Sequence, residues 1–127
     1  MIERKLVSSG SPYEAQIGFS RAVRVGSQVF VAGTAPVMPD GLPVPADAYG
    51  QAKRCLEIIG AALAETGAAP EHVVRTRIYA VRRGDFPEIG RAHAEFFGDT
   101  RPAATYVVAG LLDSRWAVEI EADAIIG

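Results

Sequence analysis

Cys55 is the only cysteine in the 127-residue chain, so no intramolecular disulfide can form and no thiolate zinc cluster can be assembled within one chain. A reducing compartment suits such a sequence. No stretch approaches the roughly 18 consecutive apolar residues that a membrane helix needs, and the charged start Met1-Ile2-Glu3-Arg4-Lys5 is not followed by a signal-type apolar run. The expectation is a soluble, cytoplasmic protein with no membrane partner. Charge of one sign is lacking too: 13 Lys+Arg against 15 Asp+Glu leave a net −2. The basic residues are dispersed, with no block to neutralise successive phosphates, which argues against a nucleic-acid partner. His93 has no second histidine or carboxylate at a metal-binding helical spacing, so a ligand role for it is not expected.

What remains is ordinary globular material. Hydrophobic residues make up 49% and charged residues 22%, enough to bury one core, and the chain is expected to form a single domain over 1–127. Val23 to Thr34 contains two β-rich runs joined at Gly26-Ser27, a hairpin-length turn with glycine first. Pro36, Pro39, Asp40-Gly41, Pro43 and Pro45 then exclude helix and central strand, which predicts a long loop. From about Ala46 to Thr66, Ala48, Ala52, Cys55, Leu56, Ile59, Ala62 and Leu63 recur at three- and four-residue spacing, with Gln51, Lys53, Arg54, Glu57 and Glu65 off that stripe. This predicts an amphipathic helix ending near Gly67. A strand over 73–81, a helix from about Phe86 to Phe97, and strands over 104–111 and 117–126 complete the series.

The order implies an α+β fold, one mixed sheet with both helices on one face. Such a layer pair leaves the other sheet face bare. That face would carry Arg75, Arg77, Tyr79, Glu119 and Glu121, and association with further copies would cover it.

Gly18-Phe19-Ser20-Arg21-Ala22-Val23 followed by Val29-Phe30-Val31-Ala32-Gly33-Thr34-Ala35-Pro36 resembles the opening signature of the Rid (YjgF) family. Gln51-Ala52-Lys53-Arg54-Cys55-Leu56, Val73-Val74-Arg75-Thr76, Asp85-Phe86, Phe96-Phe97, Arg101-Pro102-Ala103 and Val118-Glu119-Ile120-Glu121-Ala122 follow in that family's order. The resemblance runs from about residue 15 to the end. It implies a chorismate-mutase-like fold, a homotrimer whose sheets line a central barrel, and clefts at the subunit boundaries that take a small metabolite. Active members hydrolyse reactive imines and enamines without a cofactor. Their carboxylate-binding arginine after the Pro-Ala turn is replaced here by Ala104. Other pocket positions correspond to Phe19, Ala32, Gly90 and Tyr106, which also depart from the family's residues; Glu119 and Gly33 are kept. In active members the glutamate at the position of Glu119 positions or activates the attacking water.

Glu119 is therefore the candidate catalytic residue, with an ion pair to Arg75 or Arg77 as the structural alternative. Thr34, Thr105 or backbone amides are candidates for polarising a substrate, and Phe19, Tyr106 and Trp116 for lining an aromatic cleft or, alternatively, packing a core. Arg101, Arg77 or Arg21 could replace the missing clamp, though arginines more often pair at a surface. His72 and His93 are expected at the surface, and Cys55 as an inert core residue. Two functions compete: a hydrolase or deaminase of reactive imine, enamine or carbonyl metabolites, and a non-catalytic metabolite-binding protein. A ribonuclease ranks last.

Overall fold

The computed structural model describes residues 3–127; Met1 and Ile2, the first residues of the charged start, lie outside the described residues. A six-stranded sheet carries two long helices on one face. Its strands are β1 (Arg4–Val7), β2 (Ala22–Val25), β3 (Gln28–Thr34), β4 (Val73–Ala80), β5 (Ala103–Val108) and β6 (Val118–Ile125), in the order β1-β2-β3-β6-β4-β5. Only β4 and β5 are parallel. The helices are α1 (Pro12–Ile17), α2 (Ala48–Glu65) and α3 (Phe86–Phe97), and α3 is the crossover that parallel pairing requires.

The β2–β3 hairpin turns at Gly26-Ser27 with Gly26 at φ +59, a conformation that a residue without Cβ adopts freely. Asp47 caps α2 by accepting a hydrogen bond from the Gly50 amide. Gly67, at φ +86, ends it: its amide donates to the Ala64 carbonyl and that of Ala68 to the Leu63 carbonyl. Leu56, Ile59 and Leu63 from α2, Ile89 from α3, Val29 from β3 and Val118 and Ile120 from β6 are fully buried between the layers. Each such side chain contributes about 1.5–3 kcal/mol by leaving water.

Two elements were not foreseen. β1 is short and mostly exposed, with only Val7 buried, so no alternation marks it. α1 is too short for a periodic stripe, yet it is bounded by a Ser11 cap, Pro12 in its first turn and Gly18 at φ +85. Three side chains also depart from expectation. Gln51 is buried on α2, since position 51 shares a face with Ala48, Ala52 and Cys55. His93 lies half-buried between α3 and β4, 2.8 Å from the Thr76 hydroxyl and 4.6 Å from the Phe97 ring, because position 93 belongs to the stripe of Ile89 and Phe97. His72 accepts the Ala69 amide at Nδ1 and so closes the turn before β4.

The outer sheet face carries half-buried Arg75, Arg77, Tyr79, Glu119, Glu121 and Asp123, flanked by exposed Phe30 and Leu6. Among the described residues, no helix is long and apolar enough to cross a membrane.

Candidate functional site

Alternation along β6 sends Val118, Ile120, Ala122 and Ala124 into the core and leaves Glu119, Glu121 and Asp123 on the outer face. Next to β6, strand β3 loses register between Val31 and Thr34, a bulge that frees the backbone around Ala32-Gly33. The Glu119 carboxylate lies over this bulge. A Cβ added at Gly33 would stand 2.6 Å from Glu119 Oε1, so glycine is what leaves the carboxylate its place.

Arg21 supports the bulge from the other side. It is 7% exposed, and its Nη1 donates to the Gly33 carbonyl at 2.7 Å and to Thr34 Oγ1 at 3.0 Å. Thr34 in turn donates to the Ala32 carbonyl. The Arg21 Nε is buried without a hydrogen-bond partner, 3.6 Å from Glu14 Oε2, while the guanidinium lies 5.3 Å from the centroid of Phe19. Glu14, on α1, is buried and accepts hydrogen bonds from Ser8 Oγ and from the amide and hydroxyl of Ser9.

Burial raises the Glu119 carboxyl above the ordinary glutamate range, with Arg21 opposing the rise and Glu121 adding to it. Burial also pushes Glu14 upward, but the hydrogen bonds from Ser9 and Ser8 and the charge of Arg21 outweigh it and hold this carboxyl low. The two glutamates beside one guanidinium are thus moved in opposite directions. Neither Arg75 nor Arg77 pairs with Glu119. Arg77 Nη1 reaches Glu121 at 3.6 Å and Asp123 at 3.4 Å, and Tyr79 donates to Glu121 at 2.7 Å. Cys55 is fully buried with its thiol raised by desolvation, an inert state.

Of the residues singled out in the sequence, Glu119, Ala32, Gly33, Thr34 and Phe19 gather around the bulge and Arg21. Phe19 and Ala32 also line an open depression together with Ser20, Phe30, Glu121 and Asp123. Ala104 and Thr105 are exposed on β5, two strands from β6, with Thr105 in register with Arg77. Tyr106 faces the helical layer, edge-on to Phe86 at 4.9 Å, and its hydroxyl is buried without a partner. Gly90 lies within α3. Trp116 is buried, edge-on to Tyr13 at 6.5 Å. Arg101 is exposed at φ +46, immediately before Pro102.

Sequence reasoning missed Glu14 and Gln51. Gln51 Nε2 donates to the carbonyls of Pro45 and Arg115, and its Oε1 accepts the Ala117 amide at 2.6 Å. It thereby pins the proline-rich loop and the approach to β6 onto α2. The i, i+3, i+4 spacing to its apolar neighbours was the available signal. Nothing in sequence marked Glu14, whose burial depends on the Ser8-Ser9 turn folding over it. Among the described residues, no three His, Cys, Asp or Glu side chains converge as metal ligands.

The model of the family described as Endoribonuclease L-PSP matches residues 10–126. The chain belongs to this family, the YjgF/Rid proteins. A Streptomyces coelicolor member, itself uncharacterised, is 43% identical over 122 residues, which is 95% of this chain and 91% of that one. The crystal structure of a Mycobacterium tuberculosis protein of the YjgF/YER057c/UK114 family superposes with a TM-score of 0.90 at 41% identity, covering 98% of this chain and all of that one. Escherichia coli TdcF, named as a candidate reactive intermediate deaminase, was solved with bound serine. It superposes at 0.81 with 26% identity over 96% of this chain and 94% of its own. The α+β fold inferred from sequence for a Rid family member is thus the fold observed.

Proposed function

We propose that this Rid-family protein is a hydrolase of small reactive imine, enamine or carbonyl metabolites, working as a trimer with its clefts at the subunit boundaries. The observation that carries the reading is Glu119: a half-buried carboxylate raised above the ordinary glutamate range, held over a glycine on an open face, and left without an ion pair among the described residues. A base of that kind accepts a proton from water best near its own pKa. Water attacks the imine carbon as Glu119 takes one of its protons and the C=N electron pair moves to nitrogen; Glu119 returns that proton to the nitrogen to give the carbinolamine, and the hydroxyl proton then passes through Glu119 to the nitrogen as the C–N bond breaks, releasing the amine and leaving the carbonyl. Thr34 is buried with its hydroxyl proton donated to the Ala32 carbonyl, so polarising the reacting carbon falls to backbone amides of the bulge. Ala104 and Thr105, exposed on β5, would meet Glu119 from a neighbouring subunit, whereas Tyr106 and Trp116 are turned into their own chain and Gly90 lies within α3. The relation to TdcF supports this chemistry.

A second reading is favoured by β5. Ala103–Val108 carries no charged side chain, and the family resemblance puts Ala104 at the position of the arginine that binds a substrate carboxylate in active members. A protein holding an uncharged metabolite without turnover would look the same. The word endoribonuclease in the family's description is not carried over, because basic residues are dispersed and Arg77 is already paired to carboxylates.

The deciding experiment generates 2-imino acids in situ, traps what remains with semicarbazide, and compares wild type, Ala104→Arg and Glu119→Gln. Turnover by wild type that disappears in Glu119→Gln supports the hydrolase. Inactive wild type with activity gained in Ala104→Arg shows that the natural ligand has no carboxylate at that position.

A further inference from the structure

We propose that Arg21, held by Glu14, is the positioning residue for Glu119: it fixes the β3 bulge on which the carboxylate rests and supplies the positive charge that the carboxylate faces. The inference rests on reading Glu119 as the reacting carboxylate, and it assigns to Arg21 a task other than clamping substrate.

A guanidinium that is 7% exposed is costly unless paired and hydrogen-bonded. Arg21 meets that demand in two directions. Toward α1 it meets Glu14, whose own carboxylate is organised by Ser8 and Ser9. Toward β3 its Nη1 bridges the Gly33 carbonyl and the Thr34 hydroxyl. Gly33 lies in the irregularity where β3 and β6 lose register and Thr34 is where register resumes, and Glu119 Oε1 occupies the space a Gly33 side chain would take. One buried cation thus bonds the glycine against which the carboxylate sits and the residue that follows it. Its burial and its committed Nη1 leave it poorly placed to seize a free anion, which separates it from the vacated role at Ala104.

The other groups facing Glu119 do not substitute for it. Cys55 on α2 is a buried neutral thiol, Tyr79 on β4 gives its hydroxyl proton to Glu121, and Glu121 on β6 is an anion shared with Arg77. Arg21 is the cation among them, and its field opposes the rise that burial imposes on Glu119. Lysine would bring the charge but not the planar fork, so it could not span Gly33, Thr34 and Glu14 together.

The test labels glutamate carboxyls with carbon-13 and follows Glu119, assigned from Glu119→Gln, through a pH titration. Wild type is compared with Arg21→Gln, Arg21→Lys and the double variant Glu14→Gln/Arg21→Gln. The midpoint of Glu119 is expected to move to higher pH in Arg21→Gln and in the double variant, and to stay near wild type in Arg21→Lys. The double variant removes both charges together, so it carries the test where Arg21→Gln alone fails to fold around an uncompensated Glu14. Arg21→Lys is expected to lose on the order of tenfold in kcat, since it keeps the charge but not the orientation. An unchanged Glu119 midpoint in folded Arg21→Gln or in the double variant overturns the proposal. So does full turnover in Arg21→Lys. Absence of turnover in wild type would sink the hydrolase reading alone, because the titration reports on Arg21 and Glu119 without any substrate.

Discussion

At the scale of single residues, Glu14 and Glu119 show how one guanidinium serves two carboxylates of opposite tendency. Glu14 is held below its unfolded pKa, so its stabilising contribution is present above that value and is lost as pH falls through the folded one. Glu119 is raised, so the folded state is favoured while it is protonated, and that advantage fades as pH rises through its folded pKa. Glu14→Gln should therefore lower stability at neutral pH by about 2 kcal/mol, as expected for charged hydrogen bonds lost in a buried site, with a smaller deficit in acid. Glu119→Gln should raise the melting temperature at pH 8 relative to wild type and give no advantage at pH 4; thermal melts at both values check the pair. Gly33→Ala probes the same place sterically. Its new methyl would meet the far end of a side chain that can swing away, so the folding cost should be small, about 1 kcal/mol. The displaced Glu119 should nevertheless lose its titration behaviour and any turnover. Unfolding in urea together with the carboxyl titration separates the two effects, and a Gly33→Ala protein with an unaltered Glu119 would contradict the packing.

At the scale of elements, legibility followed periodicity. α2 and α3 were readable because helices of 18 and 12 residues repeat their apolar spacing often enough to stand out, and β6 because four buried residues alternate with three half-buried acids. β1 and α1 are too short to show a period, and their role depends on contacts far along the chain. β5 was anticipated as longer than it is, running to residue 111 where the strand ends at Val108; the apolar run continues past the point where β4 stops offering a partner. The candidate site was legible at Glu119 and Gly33 through resemblance, whereas the support beneath them was not. Arg21 was singled out only as a possible substrate clamp and Gln51 was marked only by its spacing on α2, because the hydrogen bonds through which Glu14, Gln51 and Arg21 act leave no trace in hydropathy. Gln51 gives this a measurable form. Its three bonds tie the loop before α2 and the segment before β6 to one helix. Gln51→Leu keeps the volume and removes every bond. Hydrogen exchange should then quicken at Ala117 and through the segment before β6, while the middle of α2 stays protected. Equal protection of Ala117 in both proteins would show that the loops are held by something else.

The whole molecule presents a sheet with one covered face. On the bare side Phe30 is 45% exposed and Leu6 60%, Val107 on β5 is exposed next to Tyr79, and a charged cluster of Arg77, Glu121 and Asp123 is only half-hydrated. β5 is open along one edge, and an unpaired edge with apolar side chains invites pairing with another chain. These features belong together if the outer face is an interface: a second copy would cover Phe30 and Val107, seal the β5 edge, and lower the dielectric around the acidic cluster and Glu119 alike. The expected solution state is the trimer, read by light scattering at micromolar concentration. Val107→Asp places an unpaired charge on the face without touching the buried core, so the isolated chain should still fold. The variant should run as a monomer, with circular dichroism close to wild type and a melting temperature that no longer depends on protein concentration. Glu119 in that monomer would regain solvent on its open side, so its titration midpoint should fall below that of the trimer while staying above the ordinary glutamate range, because burial within one chain already raises it. A wild-type protein that is monomeric at micromolar concentration would remove the subunit-boundary cleft from the proposed function. Glu119, Gly33 and Arg21 would then be a site complete within one chain.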